Sequence, residues 1–260
     1  MSRYNLKGQV KELTHKEYEP RYSNDSTYIL EPSDFLGPHN YKWNFDESGN
    51  LISKTELKLE NDSLIAGATW TTQFDGANRI IKKTRISHQF SKDTTQWKYE
   101  YLGDSIINVR QFDNTYKVLY YTYREVGNKE YLNTANSDSS YITKSLFVYD
   151  KYDRLIRSEN YENSPYIEDI RINTYTDTIS NNIFKTLNIW TKFNDNFYNQ
   201  FEYDEYNNVV KMIIGRFDTD TESINRYEYV YDAKGNWIEK KHFGWRGRVS
   251  TVFKRDIEYY

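Results

Sequence analysis

Hydrophobic and polar residues alternate along most of this chain, so that apolar positions recur every second residue. Tyr41, Trp43 and Phe45 stand against Lys42, Asn44 and Asp46, and Tyr227, Tyr229 and Tyr231 against Glu228 and Asp232. Successive side chains of a strand point to opposite faces, so a period of two predicts strands with one aromatic face. Each such stretch runs into a short polar turn and then into two apolar residues. The unit is clearest at Phe45-Asp46-Glu47-Ser48-Gly49-Asn50-Leu51-Ile52 and at Tyr231-Asp232-Ala233-Lys234-Gly235-Asn236-Trp237-Ile238. Asp at the first turn position accepts bonds from backbone amides, and Gly or Asn near the end takes the positive φ of a bulged hairpin loop. Each unit therefore predicts a β-hairpin.

The unit recurs at Phe74-Asp75, Tyr149-Asp150 and Tyr203-Asp204, and in degenerate form at Tyr101, Tyr123 and Tyr175, with a period of about 27 residues. Trp43, Trp70 and Trp97 follow the same period. The expected fold is all-β. About seven or eight antiparallel hairpins form a curled single sheet, an open barrel-like shell or a solenoid. One domain is expected over residues 1–260, with residues 1–40 as a lead strand and capping segment and residues 41–260 as the hairpin repeats. Within the first part, Gln9 to Tyr18 reads as the lead strand. Glu17 to Asn40, with Pro20, Pro32 and Pro38, reads as an irregular connection that covers the first edge of the sheet. The charged segment around Lys254, Arg255, Asp256 and Glu258 suits the other edge. Asn133 to Ser140 reads as a loop.

The Tyr-Asp pair with its Gly-Asn turn, as in Tyr231-Asp232 with Gly235-Asn236 and Phe45-Asp46 with Gly49-Asn50, resembles the YD repeats of Rhs-type bacterial proteins. The close of the chain, Gly235-Asn236-Trp237-Ile238-Glu239-Lys240-Lys241 and then Arg255 to Tyr260, looks like that of small bacterial proteins carrying such repeats, and Lys7-Gly8-Gln9-Val10 looks like their lead strand. The resemblance implies stacked hairpins. It supplies no catalytic residue, and encapsulation of a toxic domain, as in large Rhs proteins, does not carry over to a chain that resembles only the repeat.

Composition sharpens the strand reading. The chain has 26 Tyr, 13 Phe and 6 Trp, with no Cys, 2 Met and 11 Gly. Aromatic side chains fit a pleated, half-buried surface and supply the apolar area that 37% hydrophobic residues would otherwise lack. Lys and Arg number 35 against 38 Asp and Glu, for a net charge of −3, and no basic block appears. Nucleic acid is therefore not an expected partner, because binding it takes clustered cations that displace counterions. Without Cys there are no disulfides, thiolate metal sites or thiol nucleophiles. No apolar run has the length of a membrane-spanning helix, and none near Met1 has the length of a signal peptide, so a soluble protein is expected. An extracytoplasmic location is favoured if a leader has been removed ahead of Met1.

Several segments carry residue types suited to chemistry. Gly103-Asp104-Ser105-Ile106 imitates the nucleophile segment of GDSL-type hydrolases, but the Asp-x-x-His that would supply the base is missing, and its Gly and Asp fall in the turn slot of a repeat. His15, His39, His88 and His242 have no metal-ligand spacing. Asp218, Asp220 and Glu222 alternate as oxygen ligands of a calcium ion would, without the Gly and distal Glu of a dedicated loop. Trp190 and Trp245 stand outside the 27-residue stripe, and with Arg246 they are the candidate exposed contacts. No cofactor is expected. The function expected is non-catalytic binding or scaffolding with a protein partner. The alternative is a carbohydrate-binding surface built on exposed aromatics, and a third reading is a glycan-active enzyme whose carboxylates carry no sequence mark.

Overall fold

The computed structural model describes residues 6–23, 27–33, 40–60, 63–88, 93–102, 105–112, 117–125, 129–135, 142–162, 167–176, 182–191, 195–217, 219, 221–244 and 247–260. Their regular structure is β apart from a single helical-turn residue, Gly247. In chain order the strands are β1 (Val10–Tyr22), β2 (Tyr28–Pro32), β3 (Asn40–Phe45), β4 (Leu51–Glu60), β5 (Ser63–Phe74), β6 (Ile80–Ser87), β7 (Thr94–Leu102), β8 (Ser105–Phe112), β9 (Lys117–Glu125) and β10 (Lys129–Ala135). They continue with β11 (Ile142–Tyr149), β12 (Leu155–Glu162), β13 (Asp169–Tyr175), β14 (Ile183–Trp190), β15 (Asp195–Tyr203), β16 (Val209–Arg216), β17 (Glu222–Tyr231), β18 (Trp237–Phe243) and β19 (Val249–Tyr259). No helix among the described residues is long and apolar enough to cross a membrane.

The chain forms two compact units, one of residues 1–94 with 225–260 and one of residues 95–224. In the second unit each strand from β7 to β16 pairs antiparallel with its neighbour in sequence. In the first unit the antiparallel order is β17, β18, β19, β1, β3, β4, β5, β6. The lead and last strands therefore do not cap separate edges. They pair with each other through Leu13 and Ile257, His15 and Arg255, and Glu17 and Phe253, so each strand's backbone groups satisfy the other's. The segment expected as an irregular connection holds β2, which pairs with the second half of β1. Pro20 sits inside β1 opposite Leu30, and Pro32 ends β2. Likewise Asn133 to Ala135, expected in a loop, ends β10.

The hairpin turns are built locally, by Asp. In five of them the Asp Oδ1 accepts the backbone N–H four residues on: Asn50 to Asp46, Arg79 to Asp75, Arg154 to Asp150, Asn208 to Asp204 and Asn236 to Asp232, at 2.9 to 3.0 Å. The third residue after each Asp lies at positive φ, Gly49 at 83° and Gly235 at 79°, with Asn78, Asp153 and Asn207 between 60° and 64°. Asn and Asp tolerate this region better than other side chains, and Gly meets no penalty there. In every one of these hairpins the register slips at the aromatic before the Asp, as between Asn44 and Phe45 or Val230 and Tyr231. Such a bulge sets two residues against one and moves every later side chain of the second strand to the other face.

The apolar core of the first unit is small. Leu6, Val10, Leu13 and Phe45 are buried, with Tyr41, Trp43, Leu51, Ile257 and Tyr259 packed against them. It is pinned by Asn236, which is 1% exposed. The side chain accepts the Lys7 N–H at 2.7 Å and donates to the Lys7 carbonyl at 2.7 Å and to the Tyr259 hydroxyl at 2.8 Å. Tyr259 in turn donates to the Asp232 carboxylate.

Candidate functional site

The face that carries this core continues across the first unit, but away from Leu13 and Phe45 it stops being apolar. β17 contributes Tyr227 and Tyr229, β19 Phe253 and Arg255, β1 His15 and Glu17, and β3 Tyr41 and Trp43, as the register requires. His15 stacks on Tyr41 with centroids 4.5 Å apart, and Tyr41 on Trp43 at 4.6 Å. Tyr227 stacks on His242 at 5.0 Å. Most of these side chains are half-buried, neither sealed as in a core nor free as on a surface; His15 and Glu17 alone are buried.

The bulges bring cations to this face. Simple alternation from Ile52, Ile81 or Ile238 leaves the face of the lysine that follows undecided, and the register settles it. Lys54 pairs with Trp43 and with Trp70, Lys83 with Thr72 beside Trp70, and Lys240 with Tyr229 and Phe253. Each lies three residues past the first residue after its turn. Arg85 pairs with Trp70 and holds its guanidinium 5.2 Å from the indole centroid. The Arg255 guanidinium lies 3.4 Å from the Trp237 centroid, and the Lys240 ammonium 4.3 Å from Tyr227 and 5.3 Å from Phe253. A cation over a ring face is held by the ring quadrupole.

The opposite face of the same strands differs in kind. There Lys42 pairs with Glu12 at 2.7 Å, Lys16 with Asp256 at 3.2 Å and Lys254 with Glu239 at 3.8 Å. On the aromatic face Lys54 reaches Glu56 at 3.5 Å, while Lys240 has no carboxylate partner among the described residues. Burial of its ammonium, and then the nearby Arg255, push the Lys240 pKa down to about 8. Burial followed by Lys240 also lowers that of His242, which bonds Asn225 Oδ1 at 2.9 Å and Ser250 Oγ at 3.0 Å. Arg255 is likewise lowered by burial, against the pull of Tyr41, and burial raises Tyr41 despite Arg255 beside it. These shifts share one cause, the burial of charged and phenolic groups among the rings of this face.

Among the described residues of β12 to β15, polar side chains bridge neighbouring strands. Thr186 donates to Asn173 Oδ1 at 3.0 Å, Asn160 to Asp169 at 2.9 Å and Arg171 to Asn188 Oδ1 at 3.2 Å. Tyr175 and Tyr203 donate to the carbonyls of Leu155 and Ile183, each the first residue after the preceding turn.

Of the residues singled out from sequence, Trp190 is 43% exposed at the end of β14, edge-on to Phe197 at 5.5 Å. Trp245, Arg246, Asp218 and Asp220 lie outside the described residues, as do Gly103, Asp104 and His39. Glu222 accepts a bond from the Tyr198 hydroxyl. His15 is on the aromatic face, and exposed His88 bonds Thr69 at 2.9 Å. Among the described residues no three His, Asp or Glu side chains are grouped to hold a metal. Trp43 and Trp70 were legible as a stripe. Lys54, Lys83 and Lys240 were missed, and the signal that finds them is the Asp-x-x-Gly or Asp-x-x-Asn turn, whose bulge reverses the face.

No family model matches the chain, and no curated protein is similar to it. Among solved structures it is similar to a porin-like protein from Bacteroides uniformis, at 9% identity and a TM-score of 0.49 over 97% of this chain and 98% of that one. A porin-like protein from Bacteroides vulgatus is similar at 8% identity and a TM-score of 0.33, over 96% and 98%.

Proposed function

We propose that this is a non-catalytic binding protein that holds a saccharide against the aromatic face of its first unit. The observation that carries the reading is the composition of that face, where half-buried rings alternate with charged groups across strands whose neighbours form an ordinary apolar core. A saccharide has that same dual character, apolar C–H faces rimmed by hydroxyls, and a site for it takes rings with a few convergent polar groups. A contiguous exposed apolar patch would favour a protein partner. The exposed aliphatics of this unit are instead set singly among polar neighbours, Ile65 opposite Lys58 and Ile86 opposite Thr69. Hairpin repeats of the YD kind would suit such a role by extending one face strand by strand.

The test is a glycan array with the purified protein, followed by titration of any ligand by tryptophan fluorescence. Binding that falls at least tenfold in Trp70→Ala and stays unchanged in Trp190→Ala supports the reading. Silence across the array, or loss with Trp190→Ala alone, overturns it; a protein that co-purifies in stoichiometric amount would then take the ligand's place.

A further inference from the structure

Cations are distributed unequally over the two faces of the first unit. The polar face pairs its lysines with carboxylates, although these groups are the more exposed and least in need of partners. The aromatic face carries Arg85, Lys240 and Arg255 against rings, with the guanidinium of Arg85 over Trp70, that of Arg255 over Trp237 and the Lys240 ammonium beside Tyr227 and Phe253, in a chain whose net charge is −3. Taking an ammonium out of water without an anion is unfavourable, and folding has placed Lys240 among rings and a second cation, with no carboxylate partner among the described residues. An external anion would relieve that arrangement. Lys240 and Arg85 lie at opposite ends of this array, six strand steps apart at about 4.8 Å per step, so the anionic groups must be spaced along an extended ligand.

Resting on the saccharide reading above, we propose that the ligand is an acidic oligosaccharide, its carboxylates or sulfates held by Lys240 and Arg255 at one end of the face and by Arg85 at the other. Single-stranded nucleic acid also combines negative charge with stacking groups, but a protein that tracks phosphates displays its cations in the open and is basic overall. Here they are half-buried among rings in an acidic chain.

The experiment measures affinity by tryptophan fluorescence for an oligogalacturonate, a dextran sulfate oligosaccharide, neutral galactan and dextran oligosaccharides, and poly(U). Variants are Lys240→Met, Arg85→Met and, on the opposite face, Lys254→Met, each checked for folding by circular dichroism. Charge-assisted bonds lead to roughly tenfold weaker binding of the acidic probe in Lys240→Met and in Arg85→Met, none in Lys254→Met, and neutral probes at least tenfold weaker than acidic ones. The groups that face Lys240 are Tyr227 and Tyr229 from β17, Phe253 and Arg255 from β19, His242 on its own strand and Glu17 on β1 beyond Phe253. Wild-type affinity should accordingly fall as pH rises past about 8, the Lys240 midpoint, and Lys240→Met should lack that step. Preference for the carboxylate or the sulfate probe identifies the anion. Equal binding of neutral and acidic probes, or variants that bind the acidic probe like wild type, overturns the acidic ligand and leaves the saccharide reading standing. No binding of any saccharide overturns both, and tighter binding of poly(U) replaces them with nucleic acid.

Discussion

Replacing Asn236 by Ala removes a bolt between the start and the end of the chain. The side chain makes three hydrogen bonds, two with the Lys7 backbone and one with the Tyr259 hydroxyl, all at 2.7 to 2.8 Å. It is 1% exposed, so water cannot take over these bonds without local opening. At a net value of about 1 kcal/mol per bond, losing the three bonds costs about 3 kcal/mol. That is a large part of the roughly 5 to 15 kcal/mol by which a domain is stable, and it corresponds to a fall in Tm of about 6 to 12 °C. Urea unfolding followed by tryptophan fluorescence should show a lower midpoint with an unchanged slope. Asn236→Asp separates hydrogen bonding from shape, since a carboxylate still accepts the Lys7 N–H but donates nothing to the Lys7 carbonyl or to Tyr259. It also adds a charge beside Asp232. Burial pulls the Asp232 carboxyl upward, yet the Tyr259 hydroxyl and the turn amides outweigh it and hold the group below the usual carboxylate range; Tyr259 itself is pushed up to about 12, first by burial and then by Asp232. Asn236→Asp should thus be at least as destabilising as the Ala variant at pH 7 and recover partly as pH falls toward about 4, since the buried carboxyl beside Asp232 takes up its proton before that of the unfolded chain. A loss under about 0.5 kcal/mol in Asn236→Ala, or a wild-type Asn236→Asp at pH 7, would refute this account of the joint.

Lys240→Met should stabilise the fold. The depressed pKa means that the folded state disfavours the charged lysine, a penalty fully present below about pH 8 and removed as pH rises from 8 to the unfolded value of 10.5. The full shift corresponds to about 3 kcal/mol, which water around the half-buried side chain reduces to about 1 to 2; wild type and variant should converge by pH 10.5 in parallel urea curves. A gap that widens with pH would contradict this sign. Gly215→Ala would set a Cβ 2.5 Å from the Tyr198 ring, so the ring must leave its bond with Glu222 and its contact with the Lys185 ammonium, at a cost of about 1 to 3 kcal/mol by thermal melting. Gly215→Ala with Tyr198→Ala already present should cost less than half as much, and additivity would exclude the clash. Gly49→Ala, at φ 83°, should lose about 1 to 2 kcal/mol in urea unfolding, whereas Asn78→Gly should stay within about 0.5 kcal/mol of wild type.

The strands of the repeats and the Asp-built turns were legible in the amino-acid order, because both rest on chemistry within a few residues: the alternation of Tyr227, Tyr229 and Tyr231, and the bond from the Asn236 amide to Asp232; β2, which carries no such repeat, was not. The tryptophan stripe was legible for the same reason. Which face each strand finally shows was decided by the bulges, since one extra residue reverses every side chain after it and turns Lys54, Lys83 and Lys240 toward the rings. The pairing of β1 with β19 joins residues more than two hundred positions apart, and nothing local in Leu13 or Ile257 specifies the other. The depressed pKa of Lys240 is a tertiary property in the same sense: a lysine in a charged segment becomes a half-buried cation among rings only when Tyr227, Phe253 and Arg255 arrive from other strands.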